Sequence, residues 1–418
     1  MKKKILALVL VLALVASVAV ALVACDETPA DTTVSFSPIA KEDIKFGLIC
    51  LHGENSTYDK NFIDAFKAAC DEMGVEYVIS TDIPEDATCY DEAVSLVNQG
   101  CNIIFADSFG HESYILQAAK EYPNVRFAHA TGTTAHTELA ANFYNAFASI
   151  YEGRYLAGIV AGYELLRLYD KDNDGAITAD EAKIGYVGAF PYAEVVSGYT
   201  SFFLGVRSVV ENATMEVTYT GSWYDETAEG AAAQALIKRG AKLISQHADS
   251  MGAPNACETA GIPNVTYNIS TAANCPKTYV AGSKINWAPY FKHLIECTIN
   301  GVTAVGFDWT GHLSTDSVQK LDFGKNVSEE AKEAVAKAEA ALLAGTLEVF
   351  DCSTFTVDGK TLTSYIADVD TDAAFTPDTQ VIKTKTVGGK TITYFAESEY
   401  RSAPYFDVRI DGITELDD

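Results

Sequence analysis

IKFGLICLHGENSTYDKNFIDAFKAACDEMGVEYVIS, residues 44–80, is the stretch from which the fold can be read. IKFGLICL is a short apolar run, an amphipathic helix is expected near Asp59–Met73, and VEYVIS returns to the apolar, β-branched character of a strand. The alternation continues through a helix near Tyr90–Gln99, NIIFADS (102–108), a helix near Glu112–Glu121 and VRFAHA (125–130). Strand and helix repeated in this way imply a parallel sheet covered on both faces.

A second set of the same kind starts at KIGYVGAF (183–190). It continues with a helix near Glu194–Val210, MEVTYTGSW (215–223), a helix near Thr227–Arg239, KLISQHA (242–248), a helix near Gly252–Ala260 and NVTYN (264–268). The fold class is therefore α/β, with two doubly wound units in tandem. The 418 residues also exceed the roughly 250–300 at which a single core stops growing. Ligands of such sheets sit beyond the carboxyl ends of the strands. Here those ends are residues 51–58, 107–110, 129–132, 190–193, 222–225, 246–250 and 267–270, and two such rims facing each other would form a cleft. Past Leu343 the pattern gives way to a Gly/Thr/Asp-rich region, including KTKTVGGKTITYF (383–395), which reads as short antiparallel strands appended to the second unit. No catalytic or binding role is read there.

The amino terminus, MKKKILALVLVLALVASVAVALVACDETPA, has three lysines, an apolar run and a small residue before Cys25. That is a secretory signal ending in a lipobox, with cleavage before Cys25 leaving a thiol to carry lipid. The polar stretch that follows reads as a flexible tether. No later segment is apolar for long enough to span a bilayer, so an extracytoplasmic protein held to the outer face of the membrane by its lipid is expected. The formal net charge is −27, and losing Lys2, Lys3 and Lys4 makes it three units more negative. Such a chain is repelled by phosphate backbones, which argues against nucleic acid as a partner. Of the nine cysteines, the eight beyond Cys25 form no CxxC pair, so a zinc site of usual spacing is not expected. They are left as disulfide partners or core thiols.

Residues 170–181, DKDNDGAITADE, fit the twelve-residue calcium loop of an EF-hand. Asp170, Asp172, Asp174, the carbonyl of Ala176, Thr178 and Glu181 would supply oxygens, and Gly175 the sharp turn. The strand that follows almost at once leaves only an entering helix, Gly153–Tyr169, so the expectation is a structural Ca²⁺ clip at the connection between lobes rather than an opening sensor. There is no GxSxG, HExxH or Walker motif, and the scattered carboxylates single out no acid–base pair, so an enzyme is not indicated. Tyr58, Phe62, Phe109, Tyr192, Trp223, Tyr224 and Trp287 fall at the expected rims, where a flat heteroaromatic ligand could be sandwiched. Each could equally be a core aromatic.

HGENSTYDKNF (52–62), FADSFG (105–110), VRFAHATG (125–132), FASIYEGRYLAGIVAG (147–162), KIGYVGAFPYAEVVSGYTSFFLGVRSV (183–209), GSWYDETAEGAAAQALIKRGAKLISQHADS (221–250) and INWAPYF (285–291) together resemble the basic membrane protein family of ABC-transporter substrate-binding lipoproteins. The resemblance implies a type I periplasmic-binding fold, with two lobes joined by three crossovers. The domains it suggests are a signal peptide at 1–24, a tether at 25–43, lobe 1 at 44–160 and 265–300, lobe 2 at 161–264 and 301–345, and an extension at 346–418. It implies capture of a purine nucleoside, a nucleobase or a similar planar heterocycle for an ABC permease. Phe62 and Trp223 would stack on opposite faces of the base, with Asp59 in the family's turn and Asp107 on the ribose-contacting block. Asn268 stands where relatives carry a ribose-binding aspartate, and the lysine of their ribose site is replaced near Asn286 and Trp287, so a free base or a flavin also remains open. The residues expected to touch ligand are Tyr58, Asp59, Phe62, Asp107, Ser108, Phe109, Trp223, Tyr224, Gln246, His247, Asp249, Asn268 and Trp287. A sensor without transport, a surface hydrolase or a Ca²⁺-dependent adhesion protein are the rival readings.

Overall fold

The computed structural model describes residues 36–303, 307–370, 374 and 376–416; the signal peptide and Cys25 lie outside them. The first apolar runs become β1 (Lys45–Ile49), β2 (Glu76–Ser80), β3 (Ile103–Ala106), β4 (Arg126–Ala130) and β5 (Phe143–Ala148). Between them lie α1 (Thr57–Met73), α2 (Ala87–Asn98) and α3 (Glu112–Glu121). The Ser56 hydroxyl caps α1 by accepting the Asp59 amide, and Gly74, at φ 67°, ends it in the left-handed conformation that glycine adopts without a Cβ penalty. The second set comprises α4 (Ile150–Tyr169), β6 (Lys183–Gly188), α5 (Ala193–Arg207), β7 (Thr214–Tyr219), α6 (Glu226–Lys238), β8 (Leu243–His247), α7 (Gly252–Ala260), β9 (Asn264–Tyr267) and β10 (Tyr279–Ile285). The chain then returns through α8 (Ala288–Asn300) and β11 (Asp308–Gly311), and closes the α/β part with β12 (Val318–Lys320) and α9 (Glu329–Leu343).

Two sheets result, in the strand orders β11-β5-β4-β3-β1-β2 and β12-β10-β9-β8-β6-β7, the second extended at its β7 edge by a strand from the C-terminal extension. All pairs are parallel except β10 with β12. Strands so enclosed are buried along their whole length, as β3 and β8 are, because helices cover both faces. This is the expected two-lobed fold, but the chain divides between lobes differently from the sequence-based boundaries. β9 and β10 remain in the second sheet, while β11, expected in lobe 2, completes the first sheet beside β5. α4 packs on α5 and β10, so it belongs to the second lobe. A Cβ on Gly158 would lie 2.1 Å from the Phe202 carbonyl oxygen, which is why the two helices need glycine where they cross. β11 is short and polar, and no periodicity announces it.

The three crossings run side by side and are hydrogen-bonded to one another. At the first, the Ser149 amide donates to the Gly311 carbonyl at 2.8 Å and its Oγ meets His312 Nδ1 at 2.9 Å. At the second, the Asn286 amide donates to the Ser317 carbonyl at 2.8 Å and its Nδ2 to that of Asp316 at 2.9 Å. The third crossing, between β11 and β12, supplies the partners of both.

Three other expectations are corrected. The tether does not run to residue 43: Phe36 lies under the Arg126 guanidinium at 4.0 Å, and the Ile39 amide donates to the Thr298 carbonyl at 3.2 Å. The loop at 170–181 joins α4 to β6 inside the second lobe and does not tie the lobes together; Ile177 enters that lobe's core and its carbonyl accepts Asn212 Nδ2 at 2.7 Å. The eight described cysteines are all buried, and Cys50, Cys70, Cys89, Cys101, Cys257, Cys275 and Cys352 are core thiols rather than disulfide partners in this structure.

The extension forms β13 (Ile366–Ala367) with β14 (Thr379–Gln380) and β15 (Ile382–Val387) with β16 (Lys390–Phe395), the expected antiparallel pairs. It ends in β17 (Ile413–Glu415), which adds a parallel strand to the edge of the second sheet at β7.

Candidate functional site

The turn after β1 and the first turn of α1 bring His52, Tyr58 and Asp59 to the rim of the first sheet. Asp59 is fully enclosed: its Oδ1 accepts the His52 amide at 2.8 Å and its Oδ2 the Ser56 hydroxyl at 2.5 Å. Burial alone would raise its pKa, but the hydrogen bonds from His52 and Ser56 hold it below the usual carboxylate range. Asp107, at the end of β3, is the opposite case. Its Oδ1 accepts the Leu51 amide at 3.2 Å, its backbone carbonyl accepts Tyr58 Oη at 2.8 Å, and Oδ2 is buried without a partner. Burial, then the adjacent Asp59 charge, pushes Asp107 well above the usual range. One charged acceptor and one carboxyl driven to keep its proton thus lie side by side.

The second rim contributes Glu194 from the start of α5, Trp223 after β7, and His247 and Asp249 from β8 and the turn beyond it. His247 Nε2 lies 3.3 Å from Glu194 Oε1, and burial lowers the pKa of this imidazole. Asp249 is pushed well above the usual range, by burial first and then by the charges of Asp59 and Glu229. The lobes meet directly. The Thr57 amide donates to the Asp249 carbonyl at 2.7 Å, the His52 and Tyr224 rings are 5.3 Å apart, and those of Phe109 and Tyr192 are 6.1 Å apart. Between the rims an inner pocket of about 20 Å³ is left, lined by Tyr58, Asp59, Ser108, Phe109, Trp223, His247 and Asp249 together with Leu51, His52, Thr131 and Glu194. A space of that size holds about one water, so the lobes are closed on each other.

Seven of the thirteen residues expected to touch ligand therefore share one pocket, and Asp107 stands directly behind it. The expected sandwich of Phe62 and Trp223 does not form. Phe62 is 0% exposed and stacks on Trp287 at 4.2 Å in the core of the first lobe, where Trp287 is 1% exposed. Two large rings at the base of adjoining helices lose more water by packing on each other than by facing a cleft. Gln246 turns into the second sheet, its Oε1 accepting Asn264 Nδ2 at 2.8 Å, and Asn268 is buried with φ 63° and its amide on the Ser283 carbonyl. Tyr224 sits against His52 at the edge. Leu51, His52 and Thr131 fall within rim segments the strand pattern had marked. Glu194 did not, because it opens a helix rather than closing a strand.

In the loop at 170–181, carboxylate oxygens of Asp170, Asp172 and Asp174 lie within 4.8 Å of one another. Asp170 Oδ2 accepts the Gly175 amide at 2.9 Å, and Gly175 has φ 83°. Glu181 is instead turned onto the amide and hydroxyl of Thr178, at 2.9 and 2.7 Å.

The family model described as ABC transporter substrate-binding protein PnrA-like matches residues 54–349. A protein of Brucella abortus (strain 2308) named as a purine-binding protein is 28% identical over 316 residues, covering 74% of this chain and 84% of its own. One of Haloferax volcanii named as an ABC transporter glucose-binding protein is 31% identical over 254 residues, covering 61% of this chain and 60% of its own. Among solved structures, an ABC transporter solute-binding protein from Conexibacter woesei superposes with a TM-score of 0.59 at 20% identity, over 73% of this chain and 98% of that one. No helix among the described residues is long and apolar enough to cross a membrane.

Beside the cleft, Glu229 accepts the amides of Asp225 and Ser250, each at 3.2 Å, and burial pushes its pKa up to about 7. A carboxyl raised on folding stabilises at low pH and loses that contribution as pH rises from its unfolded value through the folded one. Stability should therefore fall between about pH 4.5 and 7. Thermal melts of Glu229→Gln, which keeps an acceptor without the charge, should show a shallower decline over this window; an unaltered slope would contradict the assignment.

Proposed function

This chain belongs to the PnrA-like family of ABC transporter substrate-binding proteins, which are non-catalytic, and we propose that its cleft captures a purine nucleoside, nucleobase or similar flat heterocycle outside the cell and presents it to a permease. The observation that carries this reading is the make-up of the inner pocket. Trp223, Phe109 and Tyr58 offer aromatic surface, and the carboxyl groups of Asp59, Asp249 and Glu194 converge beside them. A planar ring gains stacking energy from the first set, and its ring N–H and amino groups find acceptors in the second. The name of the Brucella relative supports a purine. That of the Haloferax relative supports a sugar as the second reading, since hydroxyls suit carboxylates equally.

Calorimetric titration of the full chain with adenine, adenosine, guanosine, riboflavin and glucose separates these readings. A purine or its nucleoside should bind with a Kd of about micromolar or tighter, and Trp223→Ala should weaken it about tenfold or more. Binding of glucose alone would favour the second reading, and silence across the panel would overturn both.

The proposal extends to Cys25, which would carry lipid after cleavage and hold the receptor at the outer membrane face. Mass spectrometry of the chain from membranes should find an acylated amino terminus at Cys25, and an unmodified Met1 would contradict it. It extends also to a structural Ca²⁺ in the loop at 170–181, held by Asp170, Asp172, Asp174, the Ala176 carbonyl, Thr178 and Glu181. The converging oxygens of the three aspartates support this. Calcium should raise the melting temperature by several degrees, chelator should reverse the rise, and Glu181→Gln should diminish it. A melt indifferent to both would remove the metal.

A further inference from the structure

A second, larger compartment lies beside the inner pocket and encloses about 360 Å³. It shares Phe109, Thr131, Glu194 and Trp223 with the inner pocket, so the two spaces adjoin across these side chains. Its far wall is made by the C-terminal extension, through Arg401, Pro404, Asp407 and Arg409. The sequence explains how the extension comes to present polar groups there. In Phe406-Asp-Val-Arg-Ile410 the apolar side chains alternate with charged ones. Phe406, Val408 and Ile410 sink into the core of the second lobe, which leaves Asp407 and Arg409 exposed on the other face of the segment.

The wall is fixed at both ends. β17 pairs with β7 in the second sheet, while Ser402 is held by the first: its amide donates to Asp308 Oδ2 at 2.8 Å, its hydroxyl to Asp308 Oδ1, and its Oγ accepts Asn145 Nδ2 at 2.9 Å. The extension thus touches both sheets beside the crossings, and is a built part of the cleft.

We propose that this compartment is a second ligand subsite, created by the extension, which receives a glycosyl group carried by the ring held in the inner pocket. The proposal rests on the reading of the inner pocket as a ring site. Its chemistry follows from the walls. Sugar hydroxyls both donate and accept, and the compartment offers carboxylate acceptors in Glu194 and Asp407 and guanidinium donors in Arg401 and Arg409. The apolar face of a sugar ring can lie on Trp223 and Tyr192, whose centroids are 6.0 Å apart. An anionic group such as a phosphate is disfavoured: two carboxylates face the space, and the charge of Arg409 is already offset by Glu415, whose Oε1 accepts its Nε at 3.1 Å, which leaves its other N–H groups as donors for neutral hydroxyls. The volume also falls in the range of about 300–1,000 Å³ typical of small-molecule sites, as that of the inner pocket does not.

The test is calorimetry of the full chain with adenine, adenosine and glucose, comparing the natural protein with Asp407→Asn and with Asp407→Ala/Arg409→Ala, each checked by thermal melt. The expected result is that adenosine affinity falls about tenfold in the double variant while adenine affinity changes less than about twofold. If neither purine binds but glucose does, and the variants weaken glucose, the subsite stands and the ring reading fails. If the variants leave adenosine and glucose binding as in the natural protein, or if nothing binds to it, the subsite is overturned. Should the double variant melt early, Asp407→Asn carries the same comparison.

Discussion

Parallel pairing governs this molecule. When every strand of a sheet but one runs the same way, every turn that leaves a strand's carboxyl end gathers at one edge. Two such sheets joined by three crossings set those edges face to face. The hydrogen bonds among Ser149, Gly311, His312, Asn286 and Ser317 keep the three crossings together. Most cleft side chains, from Leu51 to Asp249, are placed by the strand they succeed, whereas Glu194 opens α5 and Asp407 comes from the extension.

Burial then decides the chemistry of the cleft. Carboxyl groups taken out of water survive as charges only where hydrogen bonds replace hydration. Asp59 has them and stays ionised; Asp107 and Asp249 lack enough and are driven toward the neutral form. Of the three, Asp59 and Asp249 line the inner pocket beside the rings of Tyr58, Phe109 and Trp223, and Asp107 lies behind it. The direct bond from Thr57 to Asp249 shows the two rims in contact, which accounts for so small an inner space.

Most of the α/β architecture could be read in the residues, because alternating apolar runs and amphipathic helices are local signals. KIGYV and LISQH announce β6 and β8 without any tertiary information. β11 and β17 could not be read, since three or four residues of mixed character at a sheet edge have no period to detect. The site was legible as a set of strand ends, and Tyr58, Asp59, Phe109, Trp223 and Asp249 converge as that set required. Phe62 lies in the core because rim and core differ by one turn of α1, a distance that sequence spacing does not resolve, and Trp287, at the start of α8, stacks on it there. The extension's part in the cleft was missed entirely, because the alternation of Phe406, Val408 and Ile410 with Asp407 and Arg409 gains meaning only once the neighbouring lobe is in place.

A crystal structure of the full chain with adenosine bears most directly on the claim that a flat ring is held between the two rims. The purine should lie against Trp223, within reach of Asp59 and Asp249, with the lobes hinged apart about their crossings and Phe62 still stacked on Trp287. A purine found outside the gap between the lobes, or one held only by residues of a single lobe, would contradict it.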